Sequence, residues 1–393
     1  MSFRLLRISL LTALLAVVRM AAARGGAPGA PAAVTPLRRV IPRYRAIILA
    51  TPGYSQAMAF AAGSRFWVGS ALPLGHRGFG RAVLGWLGGR KLVSLQPVGF
   101  LWSLAAGTYG VAVVGGGQRA NGSGGALLWS GTPLKAVVLA PAGSQYSMAL
   151  AVAGGQEVGY VVTRKRGAKH AALWCGGGGH VVDLNPKGFL SSVATGTDGK
   201  NQVGWGFRSG GQPQAIFWSG TSSSAVEINP RGFTASKAYG IWGGYVVGEG
   251  VTKAGLEHAL LWVGASHRVV DLNPPGCWKS IGYAVGGGCE VGITIRRKGE
   301  MCHAVVWHKS AASAVGLQVA LPRIYRGSQA SAVGPGGKVF GFAIDPVAKR
   351  DAAVEWVLKR EVPSGPGRPG AAASGVRGKR EMKKLAGGPA TGK

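Results

Sequence analysis

Three carboxylates recur at one position of this sequence, each two residues before an Asn-Pro pair. They are Asp183, Glu227 and Asp271. Two carboxyl groups about 5–10 Å apart can cleave a glycosidic bond by general acid and base or nucleophilic catalysis. A carboxylate just before a turn also accepts backbone N–H groups in an Asx-type turn. Because all three occupy the same position of a repeat, we expect the turn role and no catalysis.

Three histidines also recur at one position, the start of a short apolar run. His170, His258 and His303 could suggest metal ligands, because imidazole is a common ligand. They lie in different copies of the repeat, however, and would be too far apart unless they all faced one channel. We therefore expect local hydrogen bonds at these imidazoles, and we predict no metal site.

The four cysteines do not suggest a reaction. Cys175, Cys277, Cys289 and Cys302 have no CxxC spacing, so a zinc site is not expected. Three disulfide pairings stay open, and reduced, half-buried thiols are the expected state. No nucleophile stands beside a base, and the Gly-rich tracts lack the Lys and Ser/Thr of a phosphate-binding loop. We predict no cofactor and no enzymatic activity.

The elements that position these residues form a repeat marked by tryptophan. An apolar run ends in tryptophan seven times, with gaps of 43, 45, 44, 44, 45 and 49 residues. The positions are Trp86, Trp129, Trp174, Trp218, Trp262, Trp307 and Trp356. A fixed period of this length is typical of a repeat architecture. With 68 glycines and 15% charged residues, helices would be weak, which favours short strands and tight turns.

Each copy contains four short apolar runs separated by Gly, Asn-Pro or Pro-Gly turns, which indicates four strands. The chain opens with three such runs and closes with a lone Trp-bearing run at 352–356. We therefore predict an all-β fold over residues 45–358: a seven-bladed β-propeller of four-stranded blades, closed by one C-terminal and three N-terminal strands. The tryptophans would pack between blades. A linear β-solenoid is the alternative, and it would not need complementary ends.

The HAF repeat resembles the run His170-Ala171-Ala172-Leu173-Trp174. Similar runs occur at 258–262 and 303–307. The likeness covers about residues 45–358 and is strongest from 126 to 307. The middle aromatic residue of that motif is absent from most copies, and the histidine is replaced at Gly125 and Gln214. The resemblance implies an extracellular repeat protein of bacteria, with no defined reaction.

The two ends of the sequence differ from the repeat region. Residues 1–23 have a basic start, an eleven-residue apolar core and a small-residue cleavage site, which predicts a signal peptide. Residues 24–44 are expected to be an Ala/Pro/Arg-rich linker, and residues 359–393 a disordered basic tail. We expect a secreted or extracellular/periplasmic protein without a membrane span in the mature chain. An uncleaved membrane anchor, or an apolar N-terminus without a targeting role, is the alternative.

The formal net charge is +31, and 29 basic but only 12 acidic residues lie within 45–358. The loops that join each Val-Gly strand to the next Trp strand carry 14 basic and four acidic residues. In a closed ring these loops would share one face and form a basic rim. Its central members are Arg164, Lys165, Arg166, Lys169, Arg208, Arg296, Arg297 and Lys298.

A positive field of this kind attracts polyanions. We therefore predict a non-catalytic, monomeric, exported protein that binds or scaffolds at the cell envelope, with a polyanionic glycan or other envelope polymer as its partner. One alternative is a secreted propeller enzyme acting on glycans or lactones. Another is a cytosolic repeat protein that binds nucleic acid, which requires that the chain is not exported. A rim that only aids solubility also stays open.

Overall fold

The computed structural model describes residues 44–359, apart from 77, 90, 132–133, 164–166 and 179. The predicted signal peptide and almost all of the predicted linker and tail lie outside the described residues. Those residues form seven four-stranded antiparallel sheets, and their only helical segments are four short 3-10 helices, Ser222–Ser224, Ala311–Ser313, Gln318–Ala320 and Pro335–Gly337. None of these helices has the length or apolar character needed to cross a bilayer.

The sheets are the blades of a ring, and their strands are numbered in chain order. Blade 1 contains β2 (Tyr54–Ala62), β3 (Phe66–Pro73), β4 (Arg81–Trp86) and β5 (Leu92–Ser94). Blade 2 contains β6 (Phe100–Tyr109), β7 (Ala112–Arg119), β8 (Gly124–Ser130) and β9 (Lys135–Val138). Blade 3 contains β10 (Tyr146–Ala153), β11 (Gln156–Val162), β12 (Lys169–Cys175) and β13 (His180–Asp183).

The next blades follow the same order. Blade 4 contains β14 (Ser191–Thr197), β15 (Gln202–Phe207), β16 (Gln214–Trp218) and β17 (Val226–Glu227). Blade 5 contains β18 (Phe233–Trp242), β19 (Tyr245–Thr252), β20 (Glu257–Val263) and β21 (Arg268–Asp271). Blade 6 contains β22 (Lys279–Gly286), β23 (Cys289–Ile295), β24 (His303–Trp307) and β25 (Val315–Gly316). Blade 7 contains β26 (Gly327–Val333), β27 (Val339–Asp345), β28 (Arg350–Leu358) and β1 (Tyr44–Ile48).

The first strand of every blade contacts the first strands of both neighbouring blades, so these seven strands surround the centre of the ring. We letter the strands of a blade a to d from the centre outward. Because adjacent strands are antiparallel, successive connections alternate between the two ends of a blade. The b–c loops and the d–a connections therefore share one face, named the b–c face. The a–b and c–d hairpins lie on the other, named the hairpin face.

Blade 7 closes the ring with strands from both ends of the chain. β1 pairs with β28, from Tyr44 opposite Leu358 to Ile48 opposite Val354. The predicted seven-bladed propeller with a shared closing sheet is confirmed, and the linear solenoid is excluded. The sheet takes one N-terminal and three C-terminal strands, the reverse of the predicted three and one. The strand counts are reversed because each blade begins with the Ser/Ala strand at the centre of the ring and not with the Trp strand.

The recurring Val-Gly of strand b has a steric cause. A Cβ added at Gly159 would collide with the carbonyl of Met148 on strand a, and one at Gly248 would collide with that of Lys237. The absence of a side chain therefore allows strands a and b to approach each other where strand a carries a β-bulge.

Tryptophans join neighbouring blades at most junctions. Trp129, Trp174, Trp218 and Trp262 are at most 2% exposed. Their indole N–H groups donate to main-chain carbonyls of the preceding blade, at Leu95 (2.8 Å), Leu139 (2.9 Å), Leu184 (2.9 Å) and Ile228 (2.8 Å). Trp307 and Trp356 are equally buried. The predicted packing between blades is therefore observed for these six rings.

Trp86 is the exception, and its predicted place between blades is wrong. It is 44% exposed, because it lies one residue beyond the position that the other tryptophans occupy. Gly85 holds that position, and a Cβ there would collide with the ring of Trp67 from strand b. Trp67 is 2% exposed, so its ring fills the space that Gly85 leaves.

A serine of strand a forms a second link between blades. The Oγ of Ser147 accepts a hydrogen bond from the N–H of Ala126 in the preceding blade (2.9 Å). The same bond recurs at five further junctions, from Ser103, Ser192, Ser236, Ser280 and Ser328. At the junction of blades 7 and 1, Ala57 takes the place of the serine. The serines satisfy buried backbone N–H groups that strand pairing does not use.

Candidate functional site

The described members of the predicted basic rim lie in or beside b–c loops. Lys169 begins β12, Arg208 follows β15, and residues 296–298 connect β23 to β24. By the antiparallel order of the blades they share the b–c face. Arg164, Lys165 and Arg166 lie outside the described residues.

Lys169 and Arg208 each make contacts within their own blades. The ammonium of Lys169 lies 4.7 Å from the centroid of the Tyr160 ring, and burial lowers the pKa of Lys169. The guanidinium of Arg208 lies 4.2 Å from the Phe189 centroid and forms an ion pair with Glu227. Arg296, Arg297 and Lys298 are three consecutive exposed cations. We call these three the blade 6 cluster.

Positive charge is not confined to the b–c face. Exposed cations also lie on the hairpin face: Arg65, Lys91, Lys135, Lys200, Arg268 and Lys309. They belong to separate hairpins and do not form a consecutive run. The local density of cations in the blade 6 cluster therefore distinguishes it better than the net charge of a face.

The recurring histidines and carboxylates meet across strands c and d in two blades. His170 Nδ1 lies 2.8 Å from Asp183 Oδ2, and His258 Nδ1 lies 2.7 Å from Asp271 Oδ2. The other oxygen of each carboxylate accepts the backbone N–H two residues later, at 2.8 Å in both blades. These are the turn and local hydrogen bonds that the sequence predicts for these positions.

The other two members of these sets have different partners. Glu227 pairs with Arg208, as described above. His303 has Gly316 at the position of the carboxylate, and burial lowers the pKa of its imidazole. Among the described residues, no group of three or more His, Cys, Asp or Glu side chains could hold a metal ion.

The cysteines are free thiols in poorly reactive surroundings. Cys289 and Cys302 are buried, and Cys175 and Cys277 are half-buried. Burial raises the pKa of Cys302 to about 12 and that of Cys289 to about 11. Since the thiolate is the nucleophile, these two groups are inert near neutral pH.

A polar cluster near the centre of the ring surrounds the buried carboxylate of Glu249, and it was not predicted from the sequence. Lys237 Nζ lies 2.8 Å from Glu249 Oε1, and the Tyr239 hydroxyl donates to the same oxygen at 2.9 Å. Glu249 is 4% exposed, and burial followed by the charge of Glu249 raises the pKa of Tyr239. The lysine and the carboxylate neutralise each other, so the cluster offers no free acid or base.

A signal for this cluster was present in the sequence. In the other a strands, the position of Lys237 is held by Met58, Leu104, Met148, Val193, Ile281 and Gln329. A half-buried lysine at an otherwise uncharged repeat position indicates a nearby partner for its charge.

No protein-family profile matches this chain, and no curated protein sequence matches it. Among solved structures, a puromycin hydrolase mutant complexed with PGG superposes with a TM-score of 0.53 at 10% identity, over 77% of this chain and 55% of that chain. A second puromycin hydrolase structure gives 0.48 at 11%, over 77% and 55%. TolB from Acinetobacter baumannii gives 0.42 at 8%, over 70% and 75%.

This chain thus spans little more than half the length of the two hydrolase chains. At 10% identity, the likeness to the first hydrolase extends to the fold alone. With no matching family, the comparisons support one identification, that of the described residues as a β-propeller.

Proposed function

We propose that this chain is an exported, non-catalytic propeller that binds a polyanionic polymer of the cell envelope, such as an acidic glycan, through the cations of its b–c face. The proposal includes the HAF-repeat resemblance, a monomeric state and an extracellular or periplasmic location. The observation that carries it is the blade 6 cluster, in which Arg296, Arg297 and Lys298 are all exposed.

The chemistry of the other groups supports binding without catalysis. Asp183, Glu227 and Asp271 lie in three different blades, and each is paired with a neighbour in its own blade. Both ends of each loop are fixed by paired strands, so binding would cost little further conformational entropy in the loops. Three adjacent cations attract a charged chain over about one Debye length, near 8 Å at physiological salt.

The test compares two triple variants that change the net charge equally. The first is Arg296→Glu, Arg297→Glu and Lys298→Glu on the b–c face. The matched control is Lys91→Glu, Lys135→Glu and Arg268→Glu on the hairpin face. Binding of a heparin-like sulfated polysaccharide is measured by titration calorimetry at about 50 mM and about 500 mM salt.

We expect the b–c triple to bind at least about tenfold more weakly at low salt and the control to stay within about twofold of the wild type. Wild-type affinity should fall at high salt, because exposed charges are screened. Equal losses in both triples would indicate a general charge effect and contradict a specific rim. Affinity that does not change with salt would also contradict the proposal.

Export has its own test. Mass spectrometry of the protein recovered from its source cells gives the mature N-terminus, and we expect cleavage after the small residues Ala21 to Ala23. A mature protein that retains Met1 and remains in the cytosol would contradict export.

A further inference from the structure

Each blade begins with a tight turn that places one side chain beside strand b. The N–H of this residue bonds to the carbonyl three residues earlier, which aligns the position across all blades. We call it the plug position. It is held by Tyr54, Phe100, Ser144, Phe189, Phe233, Cys277 and Tyr325 in blades 1 to 7. Five of these side chains are aromatic, and blade 3 has a serine.

In three blades the plug is a phenylalanine packed on a glycine of strand b. A Cβ added at that glycine would lie 2.8 Å from the ring of Phe100 or Phe189 and 2.7 Å from that of Phe233. The glycines are Gly117, Gly206 and Gly250. In blade 3 both members of the pair differ, because Ser144 replaces the ring and Val161 replaces the glycine.

Loss of the ring leaves a cleft on blade 3 with a volume of about 270 Å³. Its lining includes Ser144, Val161, Thr163, His170, Val181 and Asp183. In blade 5, the counterparts of Val161 and His170 are the residues that Phe233 covers: it packs on Gly250, and its ring centroid lies 6.3 Å from that of His258. Phe233 therefore occupies the space that is open in blade 3.

The polar groups of the cleft mainly accept hydrogen bonds. His170 Nδ1 faces the Asp183 carboxylate, which favours the tautomer with Nδ1–H as donor and Nε2 as acceptor. Asp183 accepts two hydrogen bonds, leaving further lone pairs on a side chain that is 61% exposed. The Ser144 hydroxyl donates to the Pro141 carbonyl (2.7 Å), so its oxygen can accept.

The remaining walls are apolar. Pro141, Val161 and Val181 line the cleft beside the small side chain of Ala172. A suitable ligand combines several hydroxyl donors with an apolar face, and the volume lies near the lower end of about 300–1,000 Å³ for small-molecule sites. The Asp183 carboxylate disfavours anions, because like charges repel.

We propose that the blade 3 cleft binds one neutral sugar residue, with its hydroxyls donating to Asp183, His170 and Ser144 and its apolar face on Val161 and Val181. The cleft belongs to blade 3 and the Arg296–Lys298 cluster to blade 6, so this inference does not rest on the polyanion proposal. The two sites differ in their response to salt, because neutral ligands are not subject to charge screening.

The test titrates neutral methyl glycosides and short neutral oligosaccharides into the protein at about 500 mM salt, where charge contacts are screened. Titration calorimetry and saturation-transfer NMR report affinity and stoichiometry. We expect one site per chain for at least one sugar. The double variant Ser144→Phe with Val161→Gly restores the pattern of blades 2, 4 and 5, and we expect it to abolish sugar binding while retaining heparin binding at low salt.

Two further variants keep the proposal falsifiable if the double variant folds poorly. Asp183→Asn keeps an oxygen for the turn but removes the charge, and we expect about tenfold weaker sugar binding. Phe233→Ser should open a second cleft beside His258 and Asp271 and raise the stoichiometry toward two. The proposal is overturned if the wild type binds no neutral sugar, if a folded double variant binds as the wild type does, or if Asp183→Asn has no effect.

Discussion

Blades 3 and 5 carry the same His–Asp pair and the same interblade tryptophan and serine, yet they present different surfaces. In blade 5, Phe233 covers the imidazole of His258; in blade 3, Ser144 leaves His170 in an open cleft. The shared tryptophan and serine hold one blade against the next, while the plug residue lies at the b–c end of its blade. A copy of this repeat can therefore change its surface without changing the contacts that hold the ring.

The largest expected effect tests the part that the two blades share. Trp174→Ala in blade 3 and Trp262→Ala in blade 5 should each lower the free energy of unfolding by about 3–5 kcal/mol, because each removes a fully buried ring and its indole hydrogen bond. Chemical denaturation monitored by circular dichroism measures this. Trp86→Ala is the matched control and should cost about 0.5 kcal/mol or less, because its ring is exposed.

A large difference between Trp174→Ala and Trp262→Ala would show that the two junctions are not equivalent. A severe effect of Trp86→Ala would contradict the assignment of Trp67 to the interblade space at Gly85.

A smaller change in the free energy of unfolding tests the plug position, where blades 3 and 5 differ. Phe233→Ala should lower the free energy of unfolding by about 1–3 kcal/mol, since a half-buried ring on Gly250 is lost. Ser144→Ala, the corresponding change in blade 3, should stay within about 0.5 kcal/mol of the wild type. Thermal and denaturant unfolding of the two variants give the comparison. Equal costs would mean that Phe233 does not act as a plug.

The smallest effect concerns the third histidine of the repeat. Burial holds the pKa of His303 below its ordinary value of 6.5, so below about pH 6.5 the unfolded chain binds the proton more readily. The contribution to stability is complete above that pH and is lost as pH falls through the folded-state pKa. His303→Gln should therefore flatten the decline in stability between pH 7 and pH 5, by about 1 kcal/mol or less.

Denaturant unfolding at several pH values measures the slope. His258→Gln serves as the comparison. Unlike His303→Gln, it removes a hydrogen bond to a carboxylate, that of Asp271, and should therefore reduce the free energy of unfolding at pH 7. An unchanged slope in His303→Gln would show that other groups cause the pH dependence.

The period of the tryptophans, together with the incomplete repeat units at the two ends, was sufficient to predict the ring, its seven blades and its closure by both ends. It could not show where a blade begins, because a repeat can be cut at any strand with the same period. The position of the Ser/Ala strand at the centre of the ring depends on tertiary structure. It makes the closing sheet one N-terminal and three C-terminal strands, the reverse of the prediction. The place of Trp86 was predicted wrongly because Trp67, on strand b, fills the interblade space beside Gly85 on strand c. A count of residues along strand c alone does not reveal this.

The candidate sites were predicted less completely. The antiparallel order of four strands placed the b–c loops together, so the positions of Arg208 and residues 296–298 followed from the sequence. The stacking of Arg208 on Phe189 did not, since it joins separate segments of the chain. The cleft had a visible signal in Pro-Ala-Gly-Ser at 141–144, where blades 2, 4 and 5 have Pro-x-Gly-Phe. That signal could be interpreted only together with Val161, which replaces the strand b glycine found in blades 2, 4 and 5.

The pairing of β1 with β28 determines when the molecule can be completed. The ribosome makes β1 first among the described strands and β28 last, so β1, the outer strand of blade 7, has no pairing partner until β28 has been made. During that interval β1 is an unpaired strand that could pair with another nascent chain. A product truncated before Leu358 would retain an open sheet edge, which makes it a natural target for chaperones and proteases.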